Sequence, residues 1–432
     1  IQASELPNCS PEAYYYLGKV QLQHGKPGSA VDSIERSIAL AGAHFEVLHE
    51  LGVAYAQLDN HEAALQAFQR AGIKNRRSPV LFYNMGNSLC ALRRPEAALR
   101  CYDQSLALNS RSAQAWTDRG RALTDLGRGA EALESYDRAL EIDPKCDSAW
   151  LFRATALQSS RRYAAALEAY ERLSGLGPSN DYVRGHQLNI RMLICRWDNW
   201  EAQTKELLER VDAGERAAMP FSLMATPAPP AALLQCARTF AEDHCPPRGE
   251  VVFNKPEGSR KIRVGYFSAD FRNHATSRLM VRLFECHDRN RFEWFAFSLT
   301  KNLDKVSARV AAAFDHFFDV SAKSDAEIAS FARAQGIDIA VDLHGFTQGY
   351  RTNIFAQRAA PIQVNYLGFP GSMGCDFIDY IVADSTLIRP DEYHHYDEKV
   401  VILPGSYQPN DNTKEIAPVA PTRESLGLPA GA

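Results

Sequence analysis

The stretch "WTDRGRALTDLGRGAEALESYDRALEIDP", Trp116–Pro144, decides how the first half of the chain folds. It places a bulky residue at Trp116, a small one at Gly120, a second small one at Ala132 and an aromatic at Tyr136, and it stops at a proline. Moved along the chain in steps of 34 residues, the same template fits five times. Gly18, Gly52, Gly86, Gly120 and Ala154 take the small position, each four residues after Tyr14, Leu48, Phe82, Trp116 or Trp150. Ala30, Ala64, Ala98, Ala132 and Ala166 follow, then Ile34, Phe68, Tyr102, Tyr136 and Tyr170. Pro144 and Pro178 end helices, because proline has no N–H to donate. A period of this length marks units of two antiparallel helices, small where the helices cross and aromatic between neighbours. The bulky residues therefore read as repeat core. Stacked units curve into a superhelix whose inner groove suits an extended peptide or a partner protein.

From Asn180 the register is lost. "RMLICRWDNWEAQTKELLERVDAG" (191–214) reads as helical, prolines interrupt residues 219–230, and "LLQCARTFAEDHC" (233–245) is helical again. Residues 181–248 are expected to cap the array, since a solenoid end must hide its last apolar face. "KPEGSRK" (255–261) reads as a linker. Beyond it, short apolar runs alternate with helical patterns. Strands are expected at Ile262–Phe271, Phe292–Leu299, His316–Val320, Ile337–Gly345, Pro361–Gly368 and Asp379–Thr386. Helices are expected around Ser277–Cys286, 305–314, 324–336 (capped by Ser324, closed by Gly336) and Asn353–Gln357. That alternation implies a parallel, doubly wound sheet, so the fold class is α plus α/β.

In such sheets chemistry gathers at the carboxyl ends of the strands. Those ends read Ser268-Ala269-Asp270, Asp342-Leu343-His344-Gly345, Gly368-Phe369-Pro370-Gly371 and Asp384-Ser385. His274 follows the first strand in a loop, where an imidazole can take a hydroxyl proton at neutral pH or donate to an oxygen. The plain alternative is a loop histidine bonding its own turn. His344 is read at a strand end beside Gly345; Asp342 either orients it or caps the next helix. Asp270 either positions His274 or forms a turn. Thr276 opens a helix whose first amides suit a phosphate, although capping alone would account for it. His394 and His395 are expected to point apart in a solvated loop rather than bind metal.

Composition narrows the function. Net charge is −4, so no global basic field points to nucleic acid or to an anionic membrane. Nine cysteines lack CxxC or paired Cys/His spacing, which reads as reduced thiols in a cytoplasmic protein. No apolar run approaches the roughly 20 residues of a membrane span. Neither GxGxxG nor GxxxxGK[ST] occurs, which argues against a dinucleotide or ATP site. Ile1 is not a natural start, so a trimmed amino terminus is expected.

Residues 11–180 resemble tetratricopeptide repeats. "IRVGYFSADFRNHATSRLM", "DIAVDLHGFTQGYRTNIFAQRAAPIQVNYLGFPGSMGCDFIDYIVAD" and "EKVVILPGSY", behind those repeats and a "CRWDNWE" bridge, resemble the amino-terminal catalytic half of the O-linked N-acetylglucosamine transferases. The plant homologue of the fucosyltransferase type shares these blocks, and the layout is similar to that of bacterial members with few repeats. The resemblance covers about residues 11–410. It implies a tetratricopeptide superhelix (11–180), a helical transitional segment (181–260) and the first Rossmann-like half (261–415) of a GT-B enzyme, with a tail at 416–432. It implies an inverting, metal-independent transferase that moves N-acetylglucosamine from UDP-GlcNAc to serine or threonine hydroxyls, with no cofactor. It makes His274 the active-site histidine and His344 a sugar or phosphate contact. Asp270, Thr276, Asp342, Gly345, Pro370 and Gly371 become substrate or donor contacts, the "GFPGSMG" turn lying next to the sugar.

The family holds UDP mainly in a second Rossmann half, in the same or another chain, for which this sequence offers no positions. The 432 residues alone are therefore expected to be inactive. The groove differs too. Where animal enzymes repeat an asparagine, this chain has Tyr16, Glu50, Asn84, Asp118 and Phe152, so only Asn84 matches and a narrower set of peptide or protein acceptors is expected. Transfer of another sugar such as fucose, or a silent repeat scaffold, are the rival readings.

Overall fold

The computed structural model describes residues 10–177, 181–247, 249, 251–253, 260–301, 304–414 and 419–429. Pro178, Asn180 and most of the linker lie outside them. The chain divides into two compact units, Ile1–Phe240 with Ala322–Ser324, and Ala241–Ser321 with Asp325–Ala432.

The first unit opens with helices α1 (Pro11–Gln23), α2 (Pro27–Ala41), α3 (Phe45–Gln57), α4 (His61–Lys74), α5 (Pro79–Ala91), α6 (Pro95–Leu108), α7 (Ala113–Asp125), α8 (Gly129–Ile142), α9 (Asp147–Ser159) and α10 (Tyr163–Ser174). Local chemistry starts them: Ser78 and Ser112 cap α5 and α7 by accepting the N–H of Leu81 and Ala115 at 3.3 and 3.2 Å. The 34-residue template becomes a packing rule. A Cβ at Gly52, Gly86 or Gly120 would run into the buried ring of Phe68, Tyr102 or Tyr136. Trp116 and Trp150 are half-buried rather than fully in the core, because each indole N–H donates to a carbonyl of the preceding turn, Ser110 or Pro144, at 3.0 Å. Arg119 and Arg153 cover those rings and pair with Asp103 and Asp137 at 2.8 and 2.7 Å.

Residues 191–214 do not form one helix. They divide between α11 (Val183–Leu193) and α12 (Trp200–Asp212), followed by α13 (Pro220–Leu223) and α14 (Pro230–His244). Cys195 and Asn199 take left-handed conformations, φ +55° and +57°, which an α-helix cannot pass through. Val183, Ile190 and Ile194 pack on Leu167, Tyr170 and Leu173 of α10, covering the last repeat.

The second unit holds a seven-stranded sheet, all neighbours parallel, in the order β3-β2-β1-β4-β5-β6-β7. Its strands are β1 (Ile262–Ser268), β2 (Phe292–Ser298), β3 (His316–Asp319), β4 (Ile339–Asp342), β5 (Ile362–Tyr366), β6 (Tyr380–Ala383) and β7 (Lys399–Ile402). Its helices are α15 (Ala275–Glu285), α16 (Lys305–Ala312), α17 (Asp325–Ala334) and α18 (Asn353–Ala356). Val264 and Tyr266 of β1 pack with Met280, Phe284 and Val310 of α15 and α16. On the opposite face Phe267 stacks on Phe297 at 4.4 Å and meets Phe355 of α18, while Phe297 meets Phe331 of α17. Both faces are covered, which is why these strands read as continuous apolar runs. β7 escaped that reading because it is a half-exposed edge strand. β1 and β4 end earlier than the sequence suggests, so Asp270 and His344 lie in the turns beyond them.

Candidate active site

The strand order reverses between β1 and β4: β2 and β3 continue to one side of β1, β4 to β7 to the other. Loops leaving two such strands part company and leave a crevice at their carboxyl ends. Asp270 leaves β1 there, and His344 leaves the adjacent β4. Asp270 Oδ2 lies 3.3 Å from His274 Nδ1 and 3.1 Å from His344 Nε2, the latter off the line of a well-directed hydrogen bond. Arg272 reaches Asp270 Oδ1 at 3.3 Å. One carboxylate thus serves two imidazoles. Burial pushes the Asp270 carboxyl up, but His344, His274 and Arg272 together hold it below the usual carboxylate range, so it stays ionised at neutral pH.

The two rings differ in access. The His274 side chain is 43% exposed and that of His344 only 4%. His344 was expected to line the cleft; it sits beneath Asp270, with Nδ1 3.1 Å from Thr347 Oγ1. His274 is the N-cap of α15: its Nδ1 lies 3.3 Å from the Thr276 amide nitrogen, accepting from it when unprotonated and facing Asp270 Oδ2 when protonated, and Nε2 has no protein partner among the described residues. Asn273 is held by Asp304, which accepts its N–H at 2.6 Å, and Ser277 Oγ donates to the Asp270 carbonyl at 2.5 Å. The loop is pinned at both ends.

Asp342 does not touch the His344 ring. Its Oδ1 accepts the His344 backbone N–H at 2.8 Å, so it shapes the turn. Burial raises its carboxyl above the ordinary value. Gly345 adopts φ +53°, and a side chain there would collide with Phe369. Pro370 and Gly371 belong to the turn after β5, whose Asn365 Nδ2 donates to the carbonyls of Phe369 and Gly371 at 3.0 and 3.2 Å. Asp384 caps the turn after β6, accepting from Thr386 and Leu387, and takes the Tyr407 N–H at 2.8 Å. His394 and His395, expected to diverge, have ring centroids 3.9 Å apart, because residues 390–395 coil into a 3-10 helix instead of extending.

Three residues of this neighbourhood escaped the sequence reading. Arg272 carries no signal of its own beyond adjacency to Asp270. Asn365, a fully buried amide inside an apolar strand, breaks the run "IQVNY" and was open to notice. Glu398 lies far along the chain and only folding brings it to the Ser372 turn.

In the repeats, Asn84 Nδ2 lies 3.0 Å from His49 Nε2, so part of its amide is already engaged within the array. Asp118 is buried and accepts from Tyr83 and Gln114 at 2.8 and 3.1 Å.

The glycosyl transferase family 41 profile matches residues 248–419, and the tetratricopeptide repeat matches residues 12–78, 83–147 and 125–181. The probable UDP-N-acetylglucosamine–peptide N-acetylglucosaminyltransferase SEC of Arabidopsis thaliana is 34% identical over 267 residues, covering 56% of this chain and 27% of the relative. The UDP-N-acetylglucosamine–peptide N-acetylglucosaminyltransferase of Caenorhabditis elegans is 30% identical over 240 residues, covering 51% and 21%. The chain thus spans about a quarter of the length of the curated relatives it matches. A solved Thermobaculum terrenum O-GlcNAc transferase mutant aligns with 95% of this chain and 61% of its own, at 21% identity and a TM-score of 0.41. Residues 248–419 thus match the model of glycosyl transferase family 41, and the residues before them match the tetratricopeptide repeat.

Proposed function

We propose that the protein takes part in transfer of N-acetylglucosamine from UDP-GlcNAc to serine or threonine hydroxyls of proteins, the acceptor being recruited by the repeats. The family of the second unit and the names of its relatives support the reaction class. The observation that carries the reading is the ionised Asp270 behind His274 at the reversal of strand order. In the tautomer whose Nδ1–H faces Asp270, the carboxylate fixes the ring and leaves its far nitrogen free to accept a proton. His274 Nε2 is then placed to take the proton of an attacking hydroxyl. The hydroxyl oxygen bonds to the anomeric carbon from the face opposite the phosphate, which inverts that centre. The bond from this carbon to the β-phosphate oxygen breaks, its electron pair leaving with UDP. Asp270 stabilises the imidazolium, and His344 holds Asp270 from below.

The test uses the native full-length polypeptide, radiolabelled sugar nucleotides in a donor panel, and a serine/threonine-rich acceptor protein. UDP-GlcNAc is expected to label the acceptor, and H274A to lower kcat by about 10² to 10⁴, the range of a general base. Unaltered kcat in H274A, or labelling only from a different donor, would overturn the reading.

A further inference from the structure

Glu398 precedes the edge strand β7, yet it is 4% exposed and faces the glycine-rich turn after β5. Its Oε2 accepts the Ser372 hydroxyl at 2.8 Å and its Oε1 accepts the Met373 N–H at 2.5 Å. Ser372 Oγ in turn accepts the N–H of Gly374 at 3.1 Å and of Asp397 at 3.3 Å. Both hydroxyl lone pairs are thereby engaged, so its single proton must point at Glu398. The other bond to Glu398 comes from a backbone N–H. Every group bonded to this carboxyl is a donor. A proton added to either oxygen finds no acceptor among them, so the neutral acid is held less firmly by these donors than the carboxylate.

The turn so clamped leans on the site. A Cβ at Gly345 would collide with Phe369 and lie 3.2 Å from Met373 Sδ, so both side chains press on the residue next to His344. Met373 is itself fully buried. The residue whose N–H Glu398 holds therefore also backs the His344 turn, and His344 supports Asp270.

We infer that Glu398 is a positioning residue whose carboxylate clamps Ser372 and Met373 and so sets, through Met373 and Phe369 against Gly345, the place of His344 under Asp270. Its consequence for transfer rests on the function proposed above; the structural coupling does not. Burial raises the Glu398 carboxyl to about 7, against the pull of Met373 and Ser372. The other titratable groups facing it are Asp397, which raises it further, the buried thiol of Cys375 and the phenol of Tyr396. The clamp therefore tightens as pH rises through neutrality and slackens below it.

The chain has six methionines, so a spectrum with 13C-labelled methyl groups has few enough signals for Met373 to be assigned by M373L. In the wild-type chain the Met373 methyl is expected to shift with a single inflection between pH 6 and 8. E398Q, a neutral stand-in for the protonated acid, is expected to hold that methyl at its low-pH position throughout. In transfer assays on the full-length polypeptide at pH 8, E398Q is expected to lower kcat several-fold with little change in KM for UDP-GlcNAc. S372A, which removes the hub but not the charge, takes away a donor to the carboxylate and is expected to keep an inflection moved to higher pH. A Met373 signal that ignores pH in the wild type, or that titrates identically in E398Q, overturns the inference whether or not transfer is seen. An inflection lost in E398Q in a protein that transfers no sugar would leave the clamp standing and remove the proposed function instead.

Discussion

At Asp270 burial pulls the carboxyl up while His344, His274 and Arg272 pull it down, and the partners win. A carboxyl whose folded pKa is depressed contributes stability that is present above its unfolded value, about 3.9, and lost as pH falls through the lower folded value. Urea melts of D270N are therefore expected to lie about 2 kcal/mol below wild type between pH 5 and 7, the cost of leaving buried partners poorly met. That gap should close toward pH 3. A constant gap across the range would mean that packing, not charge, is what Asp270 supplies. In activity, D270N is expected to lower kcat with little change in KM, since the ring loses its orienting partner while the substrate contacts stay.

Among elements, the repeat crossing allows two opposed effects to be weighed. Replacing glycine by alanine inside a helix gains about 1 kcal/mol from propensity. At Gly120 the new methyl would meet the Tyr136 ring, fully buried and hydrogen-bonded to Thr124 at 3.0 Å, with nowhere to retreat. Overpacking of that kind costs about 1 to 3 kcal/mol. G120A is thus expected to lower the urea midpoint despite its better propensity. At Gly129, in the first turn of α8, nothing lies within 4 Å of such a methyl. G129A is expected to leave stability unchanged or raise it, by up to about 1 kcal/mol. If both changed stability alike, the crossing would not be the constraint. In the sheet unit, Gly345 takes its positive φ at a collision point, so G345A is expected to disturb His344 more than any repeat glycine could.

For the whole molecule, the two units have separate cores: nearest-neighbour helix pairs in one, a covered parallel sheet in the other. Solenoid stability is a sum of local interfaces, whereas a doubly wound sheet melts as a block. Hydrogen exchange followed by mass spectrometry is expected to show G120A raising exchange in α5 to α10 while leaving β1, β4 and β5 unchanged. D270N should do the reverse. Exchange rising everywhere in both variants would mean that the two units unfold as one. Among the described residues no helix is long and apolar enough to cross a membrane.

The sequence by itself determined the repeat array, because a 34-residue period and its small and aromatic positions are local chemistry repeated five times. It also determined the alternation of buried strands and helices, because strands covered on both faces must be apolar throughout. Asp270 and His274 were legible as a pair four residues apart on one loop. The tertiary structure alone decided that His344 joins them from below rather than beside them, since this depends on β4 pairing with β1 across about seventy residues of chain. It alone brought Glu398 to Ser372 and Met373, from just before an edge strand too exposed to announce itself. Periodicity records which face of an element is buried; it holds no record of which distant strand end will be its neighbour, and the charge balance of the site is set by those neighbours.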